Sequence, residues 1–530
     1  GSLAAETRQD MEDRLRAGDL AGLVCTSSLE LGIDVGKIQR IVQVKSPRSV
    51  DRMLQRVGRA DHRLGGVGRG HLLAWDADEI AEGAVVARRA MCGEIEPVEW
   101  RDRPKTVVAN QLVLMAHSHN AVPIDTATEI IGNASQFQGW NRHDTEAILK
   151  VLADSWIIRH TPDPKEIPWY RWPAKVYALA QAEALAKKLT LPEERPRYNV
   201  PDEDISKEIK SLEVPVPELF AKGWFSTAGR TRQWVSNHLS MIPDKQSYRV
   251  RDAVTRRTLG NVDEAFVLSL NDSGEDDDGH RRQFVMAGRT WMIIDADPEQ
   301  SELLVTPVSD QANAPQWVGE LPPVPKAIAR DIGRLRHLVA EDLGLYESDI
   351  EDTSDAIDVN ALFADRNSTL REHPIDDEAL GLMAETITNH IEATGVLATD
   401  RKMTIEERDD AIVINSCHGS RINEALGHFL MAMASTKTGK WGRLVNEPTR
   451  ISLQTGDIHA EHIVGWLKET PPDALQGLLS VTLPNSRQVR WRFAQVAKTF
   501  GILRHGVDPR KINLQALLRK YRGTVVMEEV

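Results

Sequence analysis

The sequence is poor in cysteine and in basic charge, it has no long hydrophobic run, and each shortage excludes a class of protein. Its 530 residues include only three cysteines, Cys25, Cys92 and Cys417. Because these lie far apart, neither a disulfide framework nor a zinc site is expected. The net charge of −13 excludes nucleic-acid binding by bulk charge, so such binding would depend on local basic patches. The lack of a membrane-length run and of a signal peptide favours a cytoplasmic protein that does not bind membranes.

A phosphate-binding loop is also absent. The pattern Gly-x-x-x-x-Gly-Lys-Ser/Thr, whose backbone amides hold phosphates, occurs nowhere in the sequence, and neither does an Asp-Glu-x-His or Asp-Glu-Ala-Asp box. The pair Gly439–Lys440 is followed by Trp441 and lacks the required glycine spacing. If the chain takes part in nucleotide chemistry, most of the groups that hold the phosphates and a metal ion are expected to lie elsewhere.

One local basic patch does exist. Between positions 37 and 69, only Asp51 and Asp61 oppose a series of basic side chains: Lys37, Arg40, Lys45, Arg48, Arg52, Arg56, Arg59, Arg63 and Arg69. Asp51, Gln55 and Arg59 recur every four residues, which predicts that they share one face of a helix. Because each guanidinium can donate two hydrogen bonds to phosphate oxygens, this cluster suits a triphosphate. A solvated, salt-bridged helix is the alternative.

Two short apolar runs precede this helix. Leu23–Cys25 predicts a buried strand, which is followed by a hydroxyl-rich turn at Thr26, Ser27 and Ser28. Ile41–Val44 predicts the next strand. A strand, a polar turn, a second strand and an Arg-rich helix are typical of a parallel α/β sheet, which binds ligands at the carboxyl ends of its strands.

These stretches resemble motifs V and VI of superfamily 2 helicases, and residues 26–34 are most similar to the large helicase-related (Lhr) proteins. The resemblance implies that Arg59, and after it Arg56, acts as an arginine finger in ATP hydrolysis. For Arg56, pairing between domains is the alternative. Two positions differ from relatives: Asp61 stands where Lhr proteins usually carry glycine, and His62 stands where DEAD-box relatives have a second arginine finger.

The resemblance also implies roles for neighbouring residues. Gly32, Asp34 and Gln55 are expected to bind the nucleotide. ATP and Mg²⁺ would be held mainly by a first RecA-like domain, which this sequence lacks, so the chain alone is not expected to hydrolyse ATP. The nucleic-acid contacts are expected at Thr26, Ser27, Ser28, Trp317 and Arg421. Trp234, Trp291 and Trp491 compete with Trp317 as base-stacking residues, although each is better explained as core.

Further stretches extend the resemblance over nearly the whole chain, notably 260–267, 316–322 and 412–421. The expected fold is multidomain, α/β plus α+β, with a partial RecA-like parallel sheet, a winged helix and a β-rich C-terminal domain with helices. The expected divisions are 1–96 for the second RecA-like domain, 97–160 for the winged helix, 161–220 for a linker or helical tether, and 221–530 for the β-rich domain with a C-terminal helical part.

Residue patterns support the predicted winged helix and the β-rich domain. Apolar stripes predict three helices between 105 and 156, the second capped by Asp125 and the third by Asn141 or Asp144, followed by a strand at Ile157–Arg159. Between 247 and 308, β-branched and aromatic residues predict an antiparallel body of five strands. Near 412–430 the pattern predicts a strand, a turn and an amphipathic helix.

The resemblance implies a DNA-stimulated ATPase that moves 3′ to 5′ along single-stranded DNA as a monomeric motor. It would unwind DNA or RNA:DNA duplexes, in DNA repair. The alternative is a non-enzymatic nucleic-acid clamp that keeps a relic half-motor. A separate hydrolase in the β-rich part has no acid–base or metal-ligand constellation in its favour. Ser416-Cys417-His418 is not expected to be a nucleophile site, because adjacent Cys and His side chains point apart.

Overall fold

The computed structural model describes residues 5–25, 38–61, 65–98, 100–194, 196, 200–239, 247–263, 283–286, 289–297, 300–308, 322–345, 369–408, 411–439, 442–504 and 513–530. It is a mixed α/β structure with several small sheets and many helices. Backbone contacts divide it into two compact units. The first contains Gly1–Val98, Leu259–Asn261 and Gln316–Leu483, and the second contains Glu99–Thr258, Val262–Pro315 and Pro484–Val530.

The described helices, in chain order, are α1 Ala5–Ala17, α2 Val50–Val57, α3 Ala77–Cys92, α4 Lys105–His119, α5 Ile124–Gly132, α6 Arg142–Asp154, α7 Ala174–Ala186, α8 Lys207–Ser211, α9 Thr231–Asn237, α10 Lys326–Asp342, α11 Asp377–Thr394, α12 Ser420–Thr438, α13 Ala460–Glu469, α14 Pro472–Thr482, α15 Arg487–Thr499, α16 Leu514–Tyr521 and α17 Val525–Glu529. The described strands are β1 Ile41–Val44, β2 Gly70–Leu73, β3 Ala121–Pro123, β4 Ile158–Thr161, β5 Trp224–Thr227, β6 Ser247–Asp252, β7 Thr258–Asp263, β8 Gln283–Met286, β9 Arg289–Asp297, β10 Glu302–Pro307, β11 Thr404–Arg408, β12 Ala411–Asn415, β13 Arg443–Glu447 and β14 Arg450–Gln454.

In the first unit, β1 and β2 form the parallel pair that the sequence predicts, with Ile41 opposite Gly70 and Val44 opposite Leu73. The strand predicted at Leu23–Cys25 is wrong. These residues belong to no strand, and Val24 is fully exposed. An apolar run of three residues specifies a strand only when a neighbouring strand pairs with it, and none of the described strands does so here.

Helix α3 connects this parallel pair to the later part of the first unit. Its apolar face packs against α10 and α11 in one buried core, which includes Val85, Ile332 and Met383. Two arginines of α3 reinforce the junction, because Arg89 Nη1 and Arg88 Nη2 lie 2.6 and 3.1 Å from the Asp331 carboxylate. Beside it, β11–β12–β14–β13 form an antiparallel sheet covered by α12. The strand, turn and helix predicted near 412–430 are thereby confirmed as β12 and α12.

The second unit begins with α4, β3, α5, α6 and β4, and β5 follows after α7 and α8. The three strands form an antiparallel sheet in the order β3–β5–β4. All three predicted helices are present, and Asn141 caps α6 in a reciprocal capping box with Asp144. Asp125 is not a cap, since α5 begins one residue earlier with Pro123 at the N-cap. Asp125 instead accepts a hydrogen bond of 2.7 Å from Arg142.

Two further segments pack within this unit. Helices α15, α16 and α17 bury apolar side chains in the same core as α4 and α6, Phe493 and Phe500 among them. The stretch predicted as a tether, residues 161–220, holds a buried cluster of its own around Trp169, Trp172 and Phe220. A free tether would not bury aromatic residues in this way, so most of this stretch packs as part of the folded unit. The division into four domains stays a prediction.

The five strands predicted between 247 and 308 are present as β6–β10, in the sheet order β7–β6–β10–β9–β8. The prediction that they are antiparallel is wrong for one pair, because β6 and β10 run parallel, with Arg249 opposite Glu302. Trp234 and Trp291 are buried, as expected of core residues, and Trp491 is partly buried.

Candidate nucleotide site

The Arg-rich helix α2 is held at both ends by distant parts of the chain. Val50 and Met53 bury its apolar face. At its N-terminus, the Glu96 carboxylate accepts hydrogen bonds from the backbone N–H groups of Val50, at 2.7 Å, and Asp51, at 3.2 Å. A carboxylate at this position satisfies orphan N–H groups and faces the positive end of the helix dipole. Glu96 lies 46 residues from Val50 in sequence. Helix α2 is therefore fixed to the segment that follows α3, as well as to the strand β1 that precedes it.

Arg59 lies just beyond the helix, not on it as the four-residue spacing predicts. Helix α2 ends at Val57, and Gly58 follows as its C-cap. A turn continues from there, in which Arg59 N donates to Arg56 O at 3.1 Å and Ala60 N donates to Val57 O at 2.9 Å. The Arg59 side chain is half-buried. Its direction is therefore set by the turn and not by the helix face of Asp51 and Gln55, both of which are exposed.

The turn around Arg59 is fixed by its neighbours. Asp61 N donates a hydrogen bond of 2.7 Å to Ile38 O, and Asp61 adopts φ 50°, a left-handed conformation that favours glycine. Glycine would adopt this conformation without steric cost, whereas Asp61 adopts it with some strain. On the other side, a Cβ atom on Gly68 would stand 2.6 Å from Val57 O, so only glycine fits against the helix end.

Arg56 is anchored to the carboxyl end of β1 through a glutamine that sequence reasoning missed. Arg56 Nη1 donates to Gln43 Oε1 at 2.8 Å, and Gln43 Nε2 donates to the backbone oxygens of Val44, at 3.0 Å, and Lys45, at 2.9 Å. Gln43 is 8% exposed. A single amide in the otherwise apolar run Ile-Val-Gln-Val was the signal that could have indicated it, because a buried amide needs partners.

The loop between β1 and α2 carries two further basic residues of the patch, each paired with a carboxylate of α3. Lys45 Nζ lies 2.5 Å from Glu79 Oε1, and Arg48 Nε lies 3.9 Å from Glu82 Oε1. Lys45 and Arg48 both adopt positive φ, 60° and 67°. These pairs reduce the charge that the patch presents, so its basic character depends more on the remaining arginines.

Glu82 makes the stability of this region dependent on pH. Burial raises the pKa of its carboxyl group, while a hydrogen bond from Ser46 and the nearby Arg48 lower it. A carboxyl whose folded-state pKa is raised binds more protons when folded, so stability falls as pH rises from the usual glutamate pKa of 4.5 through the folded pKa. We expect Glu82→Gln to be more stable than wild type at neutral pH. In urea unfolding, this advantage should shrink as the pH falls towards 4.5; an advantage independent of pH would contradict it.

Arg421 is exposed in the first turn of α12, at the end of β12. The preceding residue, Ser420, packs against the residues just before α10: its Oγ accepts a hydrogen bond from Val324 N at 2.9 Å, and its N–H donates to Val324 O at 3.0 Å. Lys326 lies nearby, since the pKa of His418 is lowered first by burial and then by the charges of Lys326 and Arg330. Arg421, Lys326 and Arg330 all carry exposed side chains.

The triplet at 416–418 is structural. Ser416 Oγ donates to Asn423 Oδ1 at 3.0 Å, so at its 2.7 Å contact with His418 Nδ1 the hydroxyl accepts. Its proton is thus directed away from the histidine, which cannot act as its base. Burial raises the pKa of the Cys417 thiol, which opposes a nucleophilic thiolate.

The other predicted site residues, Thr26, Ser27, Ser28, Gly32, Asp34 and Trp317, lie outside the described residues, as does His62. Over the part of the chain that the structure describes, no group of three or more His, Cys, Asp or Glu side chains could hold a metal ion. Within the same part, no helix is long and apolar enough to cross a membrane.

Comparison with known proteins gives consistent matches. The family model described as "Helicase conserved C-terminal domain" matches residues 1–65, and "DEAD/H associated" matches residues 397–529. The ATP-dependent helicase Lhr-Core of Saccharolobus solfataricus is 23% identical over 539 residues, which cover 98% of this chain and 53% of that protein. The Mycolicibacterium smegmatis protein named Lhr helicase/probable uracil glycosylase is 36% identical over 153 residues, 29% of this chain and 10% of that protein.

Among solved structures, that of Mycobacterium smegmatis helicase Lhr bound to ssDNA and AMP-PNP matches with a TM-score of 0.63. It covers 100% of this chain and 55% of that chain at 18% identity, which shows a shared fold. The parallel strands β1 and β2, with the arginine-bearing helix α2 and its turn between them, lie partly within the residues that match the helicase C-terminal domain. Across almost its whole length the chain is similar to proteins named ATP-dependent helicase Lhr-Core. The chain spans about half the length of the curated relatives it matches.

Proposed function

We propose that this chain is the second motor domain and nucleic-acid-binding part of an ATP-dependent helicase. The helicase moves 3′ to 5′ on single-stranded DNA as a monomer and unwinds DNA or RNA:DNA duplexes. The observation that carries the proposal is the Arg59 turn, a guanidinium placed directly after a helix whose two ends are fixed by contacts from Glu96 and Ile38. The names of the relatives, ATP-dependent helicases, support the activity. A role in DNA repair rests on the family resemblance.

In this proposal Arg59 is the arginine finger. Charge on the transferred phosphoryl group spreads over its equatorial oxygens in the transition state, so a positioned cation accelerates hydrolysis. Arg56 stabilises the site through its hydrogen bond to Gln43, which fixes it to the carboxyl end of β1. Gln55 is exposed on the same helix and orients the phosphate end, with Gly32 and Asp34 at the nucleotide.

The described residues fit the phosphate end of ATP but not its metal ion. The guanidinium groups of Arg56 and Arg59 suit phosphate oxygens, whereas the described residues bring no carboxylate cluster together that could hold Mg²⁺. When bound, ATP supplies the hydrolysis energy that drives strand movement. Mg²⁺ and most of the phosphate contacts belong to a first RecA-like domain. The chain alone therefore does not hydrolyse ATP.

The remaining parts of the chain hold the strand. The helices α4, α5 and α6 with the three-stranded sheet β3–β5–β4 have the composition of a winged helix, with α7 and α8 inserted between β4 and β5, and we assign them this role beside the β-rich sheet β6–β10. Thr26, Ser27 and Ser28 contact phosphates, which positions a strand without reading its sequence. Arg421 contributes a further phosphate contact, and Trp317 stacks on a base.

Strand displacement tests this function. The protein that combines this chain with a first RecA-like domain is mixed with labelled duplexes that carry either a 3′ or a 5′ single-stranded tail. We expect ATP-dependent displacement from the 3′-tailed duplex only. Tight binding of both duplexes without displacement or ATP hydrolysis would support the alternative, a clamp with a relic half-motor.

A further inference from the structure

Trp156 occupies the turn between α6 and β4, where its indole is 73% exposed. The hydrogen bonds of this turn define a Schellman motif at the end of α6: Trp156 N donates to Ala153 O at 2.9 Å and Ile157 N donates to Leu152 O at 3.0 Å. Leu152 and Ile157 are fully buried, as the motif requires of its hydrophobic contact. Trp156 therefore stands at the position after the cap, which is usually glycine.

The backbone of Trp156 has φ 59°, in the left-handed region that disfavours a side chain with a Cβ atom. Burial of the indole ring would normally offset the backbone strain of such a conformation. With most of its surface exposed to solvent, Trp156 receives little of that compensation. The backbone conformation of this turn favours glycine or asparagine, so the fold does not explain why a tryptophan stands here.

The surroundings of Trp156 are basic. Arg230 Nη1 donates to Ser155 O at 2.6 Å and to Gly501 O at 3.4 Å, so its guanidinium lies against the same turn. Burial and the like charge of Arg504 lower the pKa of Arg230, which places a second, exposed arginine beside it. Asp154 is an exposed carboxylate on the last turn of α6. An exposed aromatic ring beside arginines is the arrangement that binds single-stranded nucleic acid, in which bases stack and phosphates contact cations.

We propose that Trp156 stacks on an unpaired nucleobase of the bound strand, while Arg504 contacts the adjacent backbone phosphate. This inference deepens the proposed function and rests on it. It adds a second stacking position, on the α4–α6 part of the second unit, to the one assigned to Trp317. Because every base has a π-face, the contact tolerates any sequence.

The test measures fluorescence anisotropy of labelled oligothymidylate and oligouridylate with the whole chain. Loss of one stacked base predicts that Trp156→Ala binds oligothymidylate about 5- to 100-fold more weakly. Trp156→Phe should restore most of the affinity, because it keeps an aromatic ring. The matched control is Trp100→Ala, which removes another tryptophan that is 69% exposed and should bind as wild type does. A similar loss with oligouridylate would show that the stacking is independent of the sugar.

Trp156→Gly separates binding from folding. Glycine relieves the left-handed strain, so this variant should melt at a higher temperature than wild type while losing affinity as the alanine variant does. Folded Trp156→Ala that binds both oligonucleotides as tightly as wild type would overturn the inference and leave the proposed function standing. If wild type itself bound neither oligonucleotide, the proposed function would fail and this inference with it.

Discussion

Replacing Arg59 with alanine is expected to reduce DNA-stimulated ATP hydrolysis by about 10³- to 10⁵-fold in the protein that combines this chain with a first RecA-like domain. This corresponds to roughly 4–7 kcal/mol of transition-state stabilisation. The large effect follows from the role of the residue, because a finger contacts charge that exists only in the transition state. Binding of single-stranded DNA should remain close to wild type, and steady-state ATPase and binding assays measure the two separately.

Two further variants control this result. Arg401→Ala removes an arginine whose side chain is 90% exposed and whose Nε lies 3.8 Å from the Asp400 carboxylate, so the ATPase activity of this variant should be unchanged. Arg59→Lys keeps the charge but not the planar fork, and should recover only a small part of the activity. If Arg59→Ala and Arg401→Ala lost equal ATPase activity, the loss would arise from the change in overall charge and not from removal of an arginine finger.

Asn423→Asp is expected to destabilise the first unit strongly. Asn423 is fully buried, and its Nδ2 donates to the backbone oxygens of Ser416, Glu447 and Pro448 at 2.9–3.0 Å. Aspartate has nearly the same shape, but it would oppose these three oxygens with an oxygen of its own. The lost hydrogen bonds and the unfavourable burial cost on the order of 3–5 kcal/mol.

Hydrogen–deuterium exchange measures this loss locally. Amides of β12, α12 and β14 should exchange faster in the variant, because Asn423 joins the turn before α12 to the turn between β13 and β14. Asn389→Asp provides the control, since Asn389 is exposed on α11 in the same unit. Unchanged exchange in the Asn423 variant would refute the structural role of this residue.

Local patterns predicted the elements well. Strand β8 was predicted with its observed bounds, and Asn141 was among the predicted caps of α6. Both depend on short-range chemistry, namely alternation of β-branched residues and side-chain capping. The parallel pairing of β6 with β10 was not predictable in this way. It depends on which distant strand lies alongside, and nothing within either strand specifies it.

The candidate site shows the same difference between local features, which the sequence predicts, and long-range contacts, which it does not. The arginines at 56 and 59 were identified from their spacing and the family motif. Their supports, Gln43 and Glu96, were missed, because each contributes through contacts 13 and 46 residues away in sequence. Arg59 was also assigned to the helix, whereas α2 ends at Val57. A spacing of four continues past a helix end without changing, so periodicity alone cannot reveal where the helix stops.

The central claim is that Arg59 acts on the phosphoryl group during its transfer. Single-turnover hydrolysis of ATP, with enzyme in excess and single-stranded DNA saturating, measures that step apart from product release. For Arg59→Ala, the account predicts nearly normal ATP affinity and a rate constant of hydrolysis lower by about 10³-fold or more. A rate constant equal to that of wild type would contradict it.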